Sequence, residues 1–173
     1  MKENRDFILS FIKEGDVCIE IGTWRGEFAK KISNTKLQKL YLIDPWKTQD
    51  YKGRWYSIPQ VKMDKIYENV KKTFHDDKRI QIVRDFSENI NFEKNSIDWI
   101  YIDGDHSYEK VKADLNKFYE FLKPNGYLIG DDYNWKHPSC KKGPGPAVQE
   151  FCKKLNLDFY VKHNQYVIRK SND

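Results

Sequence analysis

Acidic side chains follow two segments of the sequence that have the apolar pattern of buried strands. Asp103 follows segment 98–102, and Asp131 and Asp132 follow segment 127–130. One helical segment joins the two, so we expect neighbouring strands about 4.8 Å apart that bring the three carboxylates to one edge. Crowded carboxylates need a shared proton or a cation, and oxygen ligands in this number suit Mg²⁺, Mn²⁺ or Ca²⁺. The pattern predicts a divalent-ion site, with helix capping or lysine pairing as the alternative for each Asp.

A histidine stands close to the first of these carboxylates. His106 is three residues beyond Asp103. Imidazole accepts protons near neutral pH, so His106 is a candidate base for a substrate hydroxyl, which a neighbouring metal would acidify. Asp103 is the other candidate base, and a place at the start of a helix is the alternative role of His106. The remaining histidines have polar neighbours and are expected at the surface: His75, His137 and His163.

A glycine turn follows the first strand-like segment, in Glu20-Ile-Gly-Thr-Trp-Arg-Gly26. Its G-x-x-x-G spacing differs from the G-x-G-x-x-G fingerprint that sets a pyrophosphate against a helix. Glycines let a ligand approach the backbone, and Glu20 can accept hydrogen bonds from an amino-bearing ligand. In the alternative, the glycines only shape the turn and Glu20 is a solvated edge residue. The cofactor contacts predicted here are Glu20, Gly22, Thr23, Trp24 and Gly26.

Two more loops follow strand-like segments at the same predicted edge. Asp44 follows segment 40–43 and is placed to bind ribose hydroxyls, although an Asp before a proline is also a common turn residue. Asp103 would border the same cofactor. Candidates for adenine contacts follow segment 80–83, where they can instead cap the next turn: Asp85, Phe86 and Ser87.

Strand-like apolar runs alternate with helical patterns over the whole chain. The predicted strands are 17–21, 40–43, 80–83, 98–102, 127–130, 158–161 and 165–168. Helical spacing is found at 7–12, 28–32, 59–74, 108–122 and 148–155. This alternation predicts an α/β fold with a mostly parallel sheet, helices on both faces, and functional loops at the strand carboxyl ends. The three-residue connector between the last two strands predicts a hairpin.

Length and composition limit the number of domains, the class of partner and the cellular location that we expect. At 173 residues the chain is predicted to form one domain, 1–173. Lys and Glu are mixed along the sequence, so the net charge of +5 does not by itself indicate a nucleic-acid partner. No apolar run approaches the ~20 residues of a membrane span and the first residues lack a signal-peptide pattern, so a cytoplasmic location is expected. The 3 cysteines lack metal-ligand spacing and predict no disulfide.

Four motifs together resemble class I S-adenosylmethionine-dependent methyltransferases, in particular the family of macrocin O-methyltransferase and related sugar O-methyltransferases. They are the glycine turn, Tyr41-Leu-Ile-Asp-Pro-Trp46, Ile102-Asp-Gly-Asp-His-Ser-Tyr-Glu109 and Leu122-Lys-Pro-Asn-Gly-Tyr-Leu-Ile-Gly-Asp-Asp-Tyr133. The resemblance implies a Rossmann-like, seven-stranded sheet with a reversed final hairpin, and S-adenosylmethionine at the glycine turn and Asp44. It also implies His106 as base and, as in metal-dependent relatives, a divalent ion at Asp103, Asp131 and Asp132.

The expected activity is methyl transfer from S-adenosylmethionine to a hydroxyl of a saccharide or another small polyol, assisted by Mg²⁺. The basic charge leaves a nucleic-acid methyltransferase as an alternative, although the sequence has no Asn-Pro-Pro-Tyr-like motif for a flipped base. A nucleotide-binding module without catalysis is the second alternative.

Long loops after the second and fifth strands are expected to cover the substrate. The resemblance implies that larger relatives use a long N-terminal extension for this and for oligomerisation. We expect this chain to lack that extension, and we expect an oligomer to be possible. The candidates for the lid and for the pocket wall are Trp24, Trp46, Trp55, Tyr56, Trp135 and the basic stretch 136–142.

Overall fold

A computed structural model describes residues 5–49, 57–136 and 142–172. Within these ranges the strands are β1 (Val17–Ile21), β2 (Lys39–Ile43), β3 (Ile80–Val83), β4 (Ile97–Ile102), β5 (Leu122–Gly130), β6 (Phe159–Lys162) and β7 (Gln165–Arg169). The α-helices are α1 (Glu27–Ser33), α2 (Gln60–Phe74), α3 (Tyr108–Phe121) and α4 (Pro144–Leu155). A 3₁₀ helix, Arg5–Phe11, precedes β1, and a shorter one, Ser87–Asn89, follows β3. None of the described helices is long and apolar enough to cross a membrane.

The strands form one sheet in the order β3-β2-β1-β4-β5-β7-β6. Strands β1 to β5 pair in parallel, whereas β7 runs antiparallel to both β5 and β6. The strand order changes direction between β1 and β4, and ligands of open α/β sheets bind at such a switch point. The mostly parallel sheet and the reversed C-terminal hairpin are confirmed.

Pairing aligns the carboxyl ends of the central strands. Ile21 pairs with both Ile43 and Ile102, and Ile102 pairs with Gly130. Because parallel neighbours end in register, the loops that follow them leave the sheet at one edge. The row of residues that begins these loops is Gly22, Asp44, Asp103 and Asp131.

Alternate residues of each strand face opposite layers of helices. Ile100 and Ile102 of β4 belong to the apolar cluster that contains the buried side chains of α3 and α4. Trp99 and Tyr101 belong to the cluster formed with α1, α2 and the first 3₁₀ helix. Helices therefore cover both faces of the sheet, as predicted.

The first helical segment is a 3₁₀ helix instead of the α-helix expected from its spacing. Ser10 Oγ donates a hydrogen bond to the carbonyl of Phe7 (2.6 Å), a local contact that competes with α-helical bonding. Ile8 is the buried residue of this short segment. The segment begins at Arg5, and this start places a guanidinium beside the strand ends.

Strand β5 begins earlier than the predicted segment 127–130. Leu122 pairs with Ile97 and Tyr127 with Trp99, so the intervening residues form an irregularity in the strand. Asn125 has a φ of 63°, as expected from the predicted turn. The turn signal was therefore correct locally, but the chain rejoins the same strand.

Two apolar residues within the predicted helical segments 59–74 and 148–155 are exposed. Val61 is 73% and Leu155 is 41% exposed. Both lie in a terminal turn of their helix, α2 and α4. Apolar spacing predicts the direction of a side chain, but the sheet must also extend beneath it for burial to follow.

Candidate functional site

Two clefts open above the row of strand ends, and we name each after one of its residues. The Asp44 cleft, with a cavity volume of about 150 Å³, lies over the ends of β1, β2 and β4 and reaches Asp85. The Arg5 cleft, also with a cavity volume of about 150 Å³, lies beside it and is lined by His106 as well. Ligands bound in the two clefts would meet at the residues that line both: Gly22, Trp24 and Asp103.

Gly22 is required by the contact between the ends of β1 and β4. Its φ is +88°, and a Cβ on it would lie 2.2 Å from the carbonyl oxygen of Asp103. The Gly22 amide donates to the carbonyl of Ile43 (2.8 Å), and the Asp103 amide donates to the carbonyl of Ile21 (2.8 Å). The missing side chain thus lets two strand ends pack closely and leaves bare backbone on the shared wall.

Gly26 is required at a different point, the contact between the start of α1 and helix α2. It has a φ of +74° and immediately precedes α1. A Cβ on Gly26 would lie 3.1 Å from the Phe74 ring of α2, so this glycine faces a helix contact and not either cleft. The structure therefore gives both glycines a turn-shaping role, and only Gly22 also faces the candidate site.

Glu20 and Thr23 present buried polar atoms to the Arg5 cleft. They are 2% and 5% exposed, so Glu20 is not a solvated edge residue. Among the described residues, neither Glu20 Oε2 nor Thr23 Oγ1 has a partner in good hydrogen-bond geometry, although the Thr23 side chain lies close enough to lower the pKa of Glu20. Burial outweighs this effect and, with a contribution from Asp103, raises the pKa of Glu20 to about 8. Unpaired buried groups of this kind are costly, and a ligand carrying hydrogen-bond donors would satisfy them.

Asp44 ties together the loops that follow β1 and β2. Its Oδ2 accepts the amide of Trp24 (2.9 Å), and its Oδ1 accepts the amide of Trp46 (2.7 Å). Burial raises the pKa of Asp44, and these two amides oppose that rise. Each carboxylate oxygen has a further lone pair, so Asp44 can hold the loops and still accept ligand hydroxyls from the cleft.

Trp46 lies in the core and does not wall a cleft as the sequence had suggested. It is fully buried, its ring lies 5.0 Å from that of Tyr67, and its Nε1 donates to the carbonyl of Trp24 (2.8 Å). Trp24 lines both clefts. Trp135 lies 6.1 Å from His106 between ring centres, whereas Trp55, Tyr56 and residues 137–141 of the predicted lid lie outside the described residues.

The loop after β3 lines the far end of the Asp44 cleft. Asp85 Oδ1 accepts the amide of Phe86 (2.7 Å) and the side-chain amide of Asn89 (2.7 Å), which lower the pKa of Asp85. Asp85 therefore caps the turn. The cleft nevertheless includes all three predicted residues: Asp85, Phe86 and Ser87.

Asp114 is a cleft residue that the sequence reasoning missed. It lies on α3, is 6% exposed, and its Oδ1 accepts a hydrogen bond from Ser87 Oγ (2.6 Å). Burial raises its pKa to about 6. A usable signal was present, because position 114 falls on the apolar face of the helix between Val111 and Phe118.

Arg5 is a second residue that was missed, and it lies within the predicted metal site. Its Nη1 is 2.6 Å from Asp103 Oδ2 and 3.4 Å from Asp131 Oδ2. The guanidinium also lies 4.3 Å from the centre of the Phe28 ring. Burial works against its charge, but Tyr101 and Asp103 outweigh burial and raise the pKa of Arg5. No spacing in the sequence connects residue 5 with the strand ends.

A chain of hydrogen bonds closes around this guanidinium. Arg5 Nη1 donates to the hydroxyl of Tyr101 (3.1 Å), which donates to Gln165 Oε1 (2.7 Å). Gln165 Nε2 in turn donates to Asp131 Oδ1, an oxygen that also accepts the amide of Asp132 (2.7 Å). Each member of the chain is thereby held in a defined orientation.

The three predicted metal ligands are brought to one edge, but their surroundings do not fit a divalent ion. Asp131 has N–H donors at both oxygens, Asp103 Oδ2 is paired with Arg5, and Asp132 Oδ1 accepts a hydrogen bond from Asn164 (3.0 Å). Within residues 5–49, 57–136 and 142–172, no group of three or more His, Cys, Asp or Glu is arranged to hold a metal. The crowded carboxylates are compensated by a guanidinium and by amide donors.

His106 lies beside the predicted carboxylates, at the edge of the Arg5 cleft. Its Nε2 is 3.6 Å from Asp103 Oδ1 and 3.9 Å from Asp132 Oδ2, and its side chain is 21% exposed. Burial, followed by Asp131, raises the pKa of Asp103, and Arg5 opposes that rise. An imidazole in this place can accept a proton and be stabilised by two carboxylates.

Two other histidines and two cysteines lie away from the clefts' shared wall. His75 and His163 are exposed, as expected, whereas His137 lies outside the described residues. Cys18 and Cys152 are buried in the core, and Cys140 also lies outside the described residues.

Comparison with protein families gives a match over most of the chain. A family described as methyltransferase domain matches residues 19–133, a range that holds the glycine turn, Asp44 and His106. An uncharacterized protein of Acanthamoeba polyphaga mimivirus is 28% identical over 127 residues, which is 72% of this chain and 54% of that protein. The chain thus spans about half the length of this curated relative.

Solved structures share the fold at low sequence identity. N-methyltransferase NodS from Bradyrhizobium japonicum, in complex with S-adenosyl-L-homocysteine, has a TM-score of 0.66 and 12% identity, covering 97% of this chain and 85% of its own. A SAM-dependent methyltransferase from Aquifex aeolicus has a TM-score of 0.61 and 19% identity, covering 97% and 89%.

Proposed function

Because the chain belongs to the family of methyltransferase domains, we propose that it is an S-adenosylmethionine-dependent O-methyltransferase acting on a hydroxyl of a saccharide or another small polyol. The observation that carries the proposal is the shared wall of the two clefts at Gly22, Trp24 and Asp103. A group-transfer enzyme must bring a donor and an acceptor together at one point, and this wall provides such a point.

The Asp44 cleft suits the adenosyl part of the cofactor. Asp44 offers two fixed oxygens to ribose hydroxyls, and the bare backbone at Gly22 permits close approach. Phe86, Ser87 and Asp114 line the distal end, where an aromatic face and hydrogen-bonding groups suit an adenine. The unpaired atoms of Glu20 and Thr23 suit the amino-acid end.

When bound, S-adenosylmethionine supplies an electrophilic methyl group on a sulfonium sulfur. The chain's own task is to align the acceptor oxygen and to remove its proton. We assign the proton to the His106 imidazole, which lines the Arg5 cleft, and the carboxylates of Asp103 and Asp132 near its Nε2 stabilise the imidazolium that forms. Asp103 is the weaker candidate for the base, because its Oδ2 is paired with Arg5.

The lining of the Arg5 cleft supports a hydroxyl-rich acceptor. Charged side chains surround it, including Arg25 and Glu27 in addition to the groups already named. Such groups hydrogen-bond to several hydroxyls at once, as recognition of a saccharide requires. A divalent ion has no step in this proposal, because Arg5 lies between Asp103 and Asp131, and Asp131 Oδ1 already accepts two N–H groups.

Two measurements on the purified chain test the proposal. Calorimetry should give saturable binding of S-adenosylhomocysteine, and incubation with labelled S-adenosylmethionine should give methylated product from members of a saccharide and polyol panel. Absence of cofactor binding would refute the assignment of the Asp44 cleft. Binding without transfer to any nucleophile would favour a sensor module, and salt-sensitive transfer to RNA would favour a nucleic-acid substrate.

A further inference from the structure

We propose that Arg5 is the resident cation of the acceptor site, and that its guanidinium takes the place of a divalent ion between Asp103 and Asp131. The inference rests on the proposed function, because it assumes that an acceptor binds beside Arg5. Arg5 is then a positioning residue, and the methyl transfer does not use a metal.

The first argument is the space between the carboxylates. Arg5 Nη1 lies 2.6 Å from Asp103 Oδ2 and 3.4 Å from Asp131 Oδ2. A Mg²⁺ ion binds carboxylate oxygens at about 2.0–2.1 Å and keeps several waters, so it cannot occupy this position together with the guanidinium. Repulsion between the two cations adds to the steric conflict.

The second argument is the direction of the hydrogen bonds. Both lone pairs of Asp131 Oδ1 accept N–H groups, from Gln165 and Asp132, and Oδ2 accepts Arg5, so Asp131 retains little capacity for a metal. Asp132 Oδ1 accepts one further N–H group, from Asn164. The carboxylates are thus solvated by protein donors, which is the environment of an anion paired with an organic cation.

The third argument is the set of aromatic and hydrogen-bonding groups that surround the guanidinium. Its carbon lies 4.3 Å from the Phe28 ring centre and 5.7 Å from that of Tyr101. Its Nη1 donates to the Tyr101 hydroxyl, which is itself fixed by Gln165. Aromatic faces and a phenolic acceptor select a planar guanidinium and offer little to a hydrated metal ion.

In the acceptor site, Arg5 fixes the orientation of the Asp103 carboxylate. With Oδ2 of Asp103 held by Arg5, Oδ1 is the oxygen that lies 3.6 Å from His106 Nε2. Arg5 therefore positions Asp103 to stabilise the charge that forms on His106. A permanent cation performs this task at any metal concentration.

Mn²⁺ titration of the full chain, followed by electron paramagnetic resonance, tests the inference without any need for turnover. After EDTA treatment and desalting, the wild-type chain should show no saturable site tighter than about 1 mM, which is the weak end of the range for calcium sites with oxygen ligands. Arg5→Ser should gain one site at least tenfold tighter, and Arg5→Lys should gain none. Arg169→Ser, which removes an exposed arginine of β7, is the matched control and should bind as the wild type does.

Activity provides the second arm. EDTA should leave wild-type methyl transfer unchanged, Arg5→Ser should lose at least tenfold in kcat, and Arg5→Lys should restore part of that loss. A wild-type Mn²⁺ site that Asp131→Asn removes would overturn the inference, as would loss of wild-type transfer in EDTA. If Arg5→Ser does not fold, the wild-type and Asp131→Asn titrations still decide. If no acceptor is methylated, the titrations separate that failure from the question of the cation.

Discussion

The two clefts are assembled in different ways. The Asp44 cleft is built mainly from backbone turns and from side chains that follow β1, β2 and β3, and its key contact joins residues 20 positions apart, Asp44 and Trp24. The Arg5 cleft depends on Arg5, whose contacts with Tyr101, Asp103 and Asp131 span 96, 98 and 126 positions. Local motifs encode more of the first cleft, whereas the second depends on a residue that only the folded sheet brings to it.

They also differ in how they compensate charge. In the Asp44 cleft, Asp44 and Asp85 are held by backbone amides and Asp114 by a serine hydroxyl. In the Arg5 cleft, carboxylates are compensated by a guanidinium within a closed hydrogen-bond chain. We therefore expect substitutions of Asp44 and Glu20, which are assigned to the cofactor, to act on cofactor affinity, and substitutions of Arg5 and His106 to act on turnover.

The largest effect is expected where the clefts join. Gly22→Ala places a Cβ within 2.2 Å of the Asp103 carbonyl at a positive φ, and should destabilise the fold by about 3 kcal/mol or more and abolish cofactor binding. Thermal unfolding and calorimetry measure both. Gly15→Ala is the control. Gly15 has a φ of +86°, but a Cβ added there would have no atom within 4 Å, so the substitution should lower the free energy of unfolding by only about 1–2 kcal/mol. Equal costs would show that strain alone, and not the strand contact, explains Gly22.

His106→Asn should separate the two clefts most cleanly. Loss of the proposed base should lower kcat by about 10²–10⁴-fold, while the affinity for S-adenosylhomocysteine stays within about twofold. Steady-state kinetics and calorimetry on the same preparation give both values. His75→Asn, at an exposed position of the chain, is the matched control. An unchanged kcat would transfer the role of base to Asp103.

Glu20 should make cofactor affinity depend on pH. Its pKa is raised to about 8, so the carboxyl is mostly protonated near pH 6.5 and must lose its proton to pair with the ammonium group of the cofactor. Affinity should therefore rise roughly tenfold from pH 6.5 to pH 8. Calorimetric titrations across this range test the trend, and Glu20→Gln should bind more weakly with a flat profile. A flat wild-type profile would show that Glu20 does not contact the ammonium.

Asp114 should affect the stability of the fold and not turnover. Because its pKa is raised to about 6, the folded state binds the proton more tightly than the unfolded chain, so stability falls as pH rises from about 4 to about 6. Asp114→Asn keeps an acceptor for Ser87 and should raise stability at pH 7.5 by on the order of 2 kcal/mol, with no gain below about pH 4. Denaturant unfolding at both pH values measures this. Asp85→Asn should not stabilise, because the pKa of Asp85 is lowered.

Much of the fold followed from periodicity. Strand β4 and helix α3 were predicted within a residue of their bounds, because a buried strand and an amphipathic helix leave strong patterns over their whole length. The same patterns placed Asp103 and Asp131 at one sheet edge. Three predictions about the fold did not hold: the first helical segment is a 3₁₀ helix, Val61 and Leu155 are exposed in terminal turns, and β5 begins at Leu122, in register with Ile97.

By itself the sequence determined the alternation of strands and helices, the glycine turn, and the row of acidic residues at the strand ends, because each is encoded by neighbours in the chain. Only the tertiary structure decided what compensates those acids. Arg5 contacts these acids because its 3₁₀ helix packs on the face of the sheet that carries Tyr101. Phe28 of α1 belongs to the same apolar cluster and lies beside the guanidinium. A contact across 98 positions leaves no local spacing, since it arises when the sheet and its helices pack together.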